Sequence, residues 1–392
     1  MDFSLTEREG EEILRIKREL HMHPELSHRE KRTSALIREI VSSLPGMEEL
    51  ALPRPLETGV LFRLRGGKWG GETGLRADID ALPIQEQYES PYKSLTDGIM
   101  HGCGHDFHTA ALIGAAMILT RQRDLLPGTV DFLFQMGEES TDGMRDTLEA
   151  GLLQVIHPKR FFAIHNRPEV PAGKVVIQAG PLMSAKANFD LTVLGAGGHG
   201  AMPQLARDPI SASALIISAL QTVVSRNIAP GDNAILTIGA IHGGSTENLI
   251  PDRVQMKGSV RSLSQKTRDM EMERLEAISK HVAEACLCRA ELSFREELPA
   301  VVNSPEMTEI ARRAAGLSAG EENLVQAEPS LASEDFALLM EHVPSYLYWV
   351  GSGTEGEELS AWHNPGFHTN DAALPVAAGV YASSAVLSNE RG

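Results

Sequence analysis

Short apolar runs of strand length alternate with longer helix-like segments over the first 180 residues. Residues 12 to 42 read as two helices around the turn His21-Met22-His23-Pro24-Glu25, where the proline ends the first helix. Val60 to Leu64 reads as a strand, and Gly74 to Ala81 as a strand running into a loop. Asp106 to Gln122 carries the small and apolar residues of a packed helix. Thr129 to Phe134 is β-like and stops at Gln135-Met136-Gly137-Glu138-Glu139. Arg160 to Ile164 is a further strand, predicted to end at His165. Strands interleaved with helices predict an α/β sheet covered on both faces. In such sheets, ligand-binding groups gather in the loops beyond the strand ends.

The middle of the chain has another rhythm. Asn188 to Val193, Ala234 to Gly239 and Arg253 to Val260 read as strands, and Asp208 to Ser225 and Lys266 to Leu287 as long helices. Together they predict an inserted α+β domain over 183–295. The first pattern returns after Pro299, so the first domain is expected to be discontinuous, 1–182 with 296–392.

Composition narrows the partners. The formal net charge is −17, which repels nucleic acid and anionic lipid, so neither is expected. No uninterrupted apolar run approaches the roughly 20 residues of a membrane span. The stretch Met1 to Leu20 is charged throughout and lacks the apolar core of a secretory signal, so a cytoplasmic location is expected. Three cysteines are present. Cys286 and Cys288 fall in a helix-like stretch, 279–292, two apart and so off any shared face.

Cys103 differs. It lies in Met100-His101-Gly102-Cys103-Gly104-His105-Asp106-Phe107-His108, where glycines permit tight turns. Thiolate and imidazole together suit zinc or a similar borderline-soft ion. A helix starting just after the loop favours the thiolate through its N-terminal dipole. Glu138-Glu139 closes an apolar strand; adjacent side chains diverge, so one can bind metal while the other handles a proton. His165, the loop Trp362-His363-Asn364-Pro365, and the pair Asp78 and Asp80 complete the candidates. Two aspartates in an apolar strand need partners, which a metal or its histidine ligand supplies.

With these segments in order, the chain resembles the M20 family of metallopeptidases and aminoacylases. The likeness is to the amidohydrolase branch of that family, which holds hippurate hydrolases, N-acetyl-amino-acid deacetylases and plant auxin-conjugate hydrolases. It runs from His21-Met22-His23-Pro24-Glu25 through Arg76–Glu86, 101–110 and Glu138-Glu139. It continues through Gly197-Gly198-His199, Asn248–Asp252 and Ser333-Glu334-Asp335-Phe336 to Trp362–Pro365. The resemblance implies a mixed-sheet, zinc-peptidase-like α/β catalytic domain with an inserted α+β dimerisation and lid domain. It implies two divalent ions (zinc, manganese, nickel or cobalt) on Cys103, His105, Glu139, His165 and His363. Glu138 becomes general base on a metal-activated water, with Asp80 in support. His199 becomes a catalytic residue serving a neighbouring active site, Asn248 and Arg261 bind the substrate's polar end, and a homodimer is implied. The implied activity is amide hydrolysis of N-acyl amino acids, acetyl or aromatic, with a dipeptidase or carboxypeptidase-like enzyme as the alternative. Two departures stand out: Gln135-Met136-Gly137 where relatives have Gln-Pro-Ala, and Gly102 where they have alanine.

Overall fold

A computed structural model describes residues 1–390. The chain divides into two compact units, one of 1–180, 302–328 and 335–392, the other of 181–301 and 329–334. The six-residue excursion 329–334 means that the chain passes between the units four times.

The first unit is built on an eight-stranded mixed sheet. Its order is Met47–Leu50, Val60–Arg65, Pro127–Gln135, Lys68–Asp78, Arg160–Pro171, Ser345–Gly353, Val175–Val176, Leu324–Val325. The four strands at its centre, from Pro127–Gln135 to Ser345–Gly353, pair in parallel. Helices pack on this sheet, and its central strands are buried over long continuous stretches. Ser345–Gly353, for instance, is buried at every position but its last. His105–Arg121 is buried along nearly its whole length, since Ala110, Ala111, Gly114, Ala115 and Ala116 let neighbouring elements approach closely. The C-terminal helix Leu374–Glu390 packs beside it. By length and composition 371–390 is apolar enough to cross a membrane, but 78% of that window is buried inside the fold.

The second unit contains a four-stranded antiparallel sheet, ordered Ala234–Gly243, Arg253–Ser262, Ala185–Leu194, Arg289–Leu298. Helices Pro209–Thr222 and Gln265–Ala285 share its core with Phe189, Leu191, Val254, Met256 and Val260. Asp208 caps the first helix by accepting from the Ile210 and Ser211 N–H groups, and Pro209 stands at N1, where no donor is lost. A separate ribbon pairs Gly198–His199 with Leu249–Ile250.

Two sequence expectations are corrected. The strand predicted to stop at His165 runs on to Pro171, because Ser345–Gly353 pairs with it in register through Trp349↔His165 to Gly353↔Pro171. Cys286 and Cys288 are not helical. The helix ends at Ala285, the Cys286 and Cys288 N–H groups both donate to the Ala283 carbonyl, and Leu287 adopts φ 59° between them. A left-handed residue at this position is a common way to close a helix.

Candidate metal centre

The candidate chemistry gathers where the parallel strands of the first unit deliver their carboxyl ends. Asp78 is the last residue of its strand, and Asp80 lies two beyond it. The neighbouring strand ends at Gln135, and Gly137 turns the chain at φ 67° to present Glu138 and Glu139. A methyl on Gly137 would lie 2.8 Å from His28 Nε2. Glycine takes this left-handed angle without the strain that the usual alanine would carry. Gly102 is the opposite case: a methyl there meets Leu82 and Ile84 at 3.4 Å, ordinary contact, so alanine fits.

Gly104 makes the Cys103–His105 approach possible. It caps the helix at φ 91°, and an added Cβ would lie 2.5 Å from Asn166 Nδ2. Both the backbone angle and the space demand glycine. The helix then starts at His105, and the three histidines of the motif take different environments. His105 faces the cluster. His108 Nδ1 donates to Asp78 Oδ1 at 2.6 Å, while its Nε2 accepts the Asn166 N–H at 2.9 Å. His101 is buried with neither ring nitrogen hydrogen-bonded, and burial pushes its pKa down to about 4.

Five side chains converge as donors. Cys103, His105 and His165 lie with their ligand atoms mutually within 4.8 Å, and so do Cys103, Glu139 and His363. Cys103 belongs to both triads. Cys103 Sγ is 3.5 Å from His165 Nε2, and His363 Nε2 is 3.4 Å from Glu139 Oε1. Two of the imidazoles are aimed from behind. His165 Nδ1 donates to the Asn166 carbonyl at 2.8 Å, which leaves Nε2 as the acceptor facing the cluster. His105 Nδ1 pairs with Asp80 Oδ1 at 3.0 Å. Asp80 Oδ2 accepts from Ser27 and from the Glu139 N–H, so one carboxylate orients both a histidine and the glutamate loop. His363 stands in a left-handed turn at φ 61°, tied to the motif loop by its N–H on the Gly102 carbonyl.

The electrostatics suit a cation. Burial opposes charge on His105, but the carboxylates of Asp78, Asp80 and Glu139 outweigh it and pull the pKa up to about 10. His165 moves the other way: burial, reinforced by His108, keeps it well below the ordinary histidine range and neutral. His105 Nε2 and Glu139 Oε1 are buried without a hydrogen-bond partner. Such unpartnered polar atoms amid negative potential fit metal ligands, with a cation taking the place of the proton on His105. Glu138 is also at hand, with Oε2 3.9 Å from His105 Nε2.

Asn166 was not singled out in the sequence, yet it joins three ligand segments. Its Nδ2 donates to the Cys103 carbonyl at 2.5 Å, its Oδ1 accepts from Trp362 Nε1 at 3.1 Å, and its carbonyl holds His165. Its adjacency to His165 was the one available signal. His21, quoted only as part of a turn, lies buried between Asp106 and Glu86 at 2.9 and 3.1 Å. Burial disfavours its charge, but the two carboxylates prevail and raise its pKa to about 9.

The remaining candidates belong to the second unit. His199 and Asn248 are exposed neighbours in the small ribbon, where the Gly200 N–H donates to the Asn248 carbonyl. Arg261 is partly buried, and its Nη1 donates to the Leu331 carbonyl at 2.9 Å.

Comparison with known proteins agrees with this picture. Residues 74–386 match the model of peptidase family M20/M25/M40. The chain is 40% identical to the N-acetylcysteine deacetylase of Bacillus subtilis (strain 168), over 96% of each sequence. It is 34% identical to thermostable carboxypeptidase 1 of Saccharolobus solfataricus, over 88% of this chain and 86% of that one. The crystal structure of the Bacillus subtilis YXEP protein, a dinuclear metal binding peptidase from the M20 family, superposes with a TM-score of 0.84 at 36% identity. That superposition covers 97% of this chain and 98% of that one. The chain therefore belongs to peptidase family M20/M25/M40.

Proposed function

We propose that this protein is a metal-dependent amidohydrolase that cleaves the amide bond of N-acyl amino acids, releasing a carboxylate and the free amino acid. One observation carries the reading. Five donors, Cys103 shared between two triads, converge, and the Glu138 carboxylate stands beside them with Oε2 3.9 Å from His105 Nε2. Cys103, His105, Glu139, His165 and His363 would hold two divalent ions, and the mixture of thiolate, imidazole and carboxylate suits zinc, cobalt, nickel or manganese. Bound there, such ions polarise an amide carbonyl and make water acidic enough to serve as a nucleophile near neutral pH.

The chain's own residues supply the rest. Glu138 takes the proton of the attacking water and returns it to the leaving nitrogen. Asp80 keeps His105 in one tautomer and fixes the Glu139 backbone. Arg261 is the partner for the substrate's carboxylate. Among the described residues no carboxylate pairs with it, and its anchored guanidinium offers two-pronged contact. Asn248 and His199 assist at the polar end and at the developing oxyanion. A homodimer completes the reading. Ala234–Gly243 is an edge strand with Ile235 and Ile241 exposed, and the helix Pro209–Thr222 of the same unit exposes Ile210 and Leu215. A second copy would cover these groups.

N-acetyl amino acids are favoured by the likeness to the deacetylase, and hippurate tests the aromatic alternative. The carboxypeptidase relative supports a second reading as a dipeptidase or carboxypeptidase-like enzyme. The test is hydrolysis of N-acetyl-L-methionine, hippurate and a dipeptide series by protein titrated with zinc, manganese, nickel and cobalt. Metal-dependent release from the acyl amino acids at rates above the dipeptides is expected. Dipeptide cleavage alone would transfer the assignment to the peptidase reading, and no amide cleavage with any metal would defeat both.

A further inference from the structure

Arg76 and Asp335 hold neither a metal nor a proton in this scheme, yet both are completely buried charges. Removing a charge from water costs several kcal/mol unless its partners are well placed. Here they are. Arg76 Nη1 donates to Asp78 Oδ2 at 2.8 Å, Nη2 to Asp335 Oδ1 at 3.0 Å, and Nε to Gln135 Oε1 at 2.8 Å. Asp335 in turn accepts from Gln135 Nε2 at 2.8 Å and from the Met144 N–H at 2.8 Å. The Phe336 ring lies 5.7 Å from the guanidinium carbon.

The two aspartates point to different parts of the site. Asp78 holds His108, which receives the Asn166 N–H and so secures the His165 strand. Asp335 presents its own backbone N–H to Glu138 Oε1 at 3.3 Å. One guanidinium thus ties the ligand side to the glutamate side. We propose that Arg76, Gln135 and Asp335 form a positioning clamp, which holds the Glu138 carboxylate in its working place through the Asp335 N–H. This rests on Glu138 being the general base. Asp335 acts through Glu138 and Asp78 through the histidines, so the two arms are separable. Misplacement of a reacting group by about 1 Å costs on the order of 100-fold in rate.

The experiment is a double-mutant cycle on full-length, metal-loaded enzyme, with Asp335→Asn made in the wild type and in Glu138→Gln. Asp335→Asn alone is expected to lower kcat by about 10- to 100-fold, with KM and metal stoichiometry unchanged. In the Glu138→Gln background it should cost less than about twofold, because the group it positions is already disabled. Equal losses in both backgrounds, or an unchanged kcat in the single variant, would overturn the clamp. Wild-type turnover by Glu138→Gln would instead overturn the base assignment itself. Elemental analysis after dialysis reads the other arm without any assay of turnover: Asp78→Asn should retain less metal, and Asp335→Asn should not. The reverse pattern also contradicts the proposal. If Asp335→Asn fails to fold, Gln135→Met, which removes the amide donor to Asp335, carries the same cycle with a smaller expected loss.

Discussion

The two sheets of this molecule use the same backbone in opposite ways. In the first unit, Ser345–Gly353 and the far end of Lys68–Asp78 are buried residue after residue. In the second, Ala234–Gly243 and Arg289–Leu298 alternate between partly buried and exposed positions. The first pattern belongs to parallel strands covered on both faces, the second to an antiparallel sheet with one covered face. The difference teaches where chemistry can sit. A doubly covered sheet excludes water, so charges at its strand ends must satisfy one another, and Asp78, Asp80, His105 and Arg76 do so. A half-open sheet tolerates exposed groups such as His199 and Asn248, and it leaves an edge for other molecules.

This contrast can be broken in order of decreasing effect. Glu138→Gln should lower kcat by roughly 100- to 10,000-fold while calorimetry shows the melting temperature hardly moved; comparable turnover would remove the chemistry from the first unit. Phe132→Ala, a fully buried side chain in the strand Pro127–Gln135 of that unit, should cost about 3–5 kcal/mol by denaturant unfolding. Ser293→Ala, exposed on the strand Arg289–Leu298 of the second unit, should stay within about 0.5 kcal/mol. Similar costs at the two positions would erase the distinction between the sheets. The third test concerns Glu271, a carboxyl buried in the helix Gln265–Ala285 with neither oxygen hydrogen-bonded. Burial raises its pKa from 4.5 to about 8. The folded state therefore binds a proton that the unfolded chain releases, so stability from this group is complete below pH 4.5 and is lost as pH rises to about 8. Glu271→Met should stabilise by about 1–3 kcal/mol at pH 8.5 and by much less at pH 5. An equal gain at both pH values would show that the charge is not the cause.

Much of this was legible in the sequence. The α/β class followed from the alternation of apolar runs with helical segments, and the Cys103 motif announced its chemistry by crowding donors between glycines. What the sequence could not show was hydrogen-bond direction. Nothing local to Asn166 reveals that its amide links Cys103 to Trp362, because those partners lie 63 and 196 residues away. The end of the His165 strand was misplaced for a related reason. A histidine and an asparagine look like a boundary until a distant strand supplies the pairing that carries them inside. The Cys286–Cys288 turn was missed because Leu287, which adopts the left-handed angle, gives no warning of it.

The short excursion at 329–334 limits how the molecule can be taken apart. Leu331 supplies the carbonyl that receives Arg261, and both Leu331 and Ala332 accept from the Ser184 hydroxyl. A fragment spanning 181–301 would be continuous in sequence yet would lose these acceptors, stranding a half-buried guanidinium. A protease nick at any single crossing would leave the halves joined by the other three.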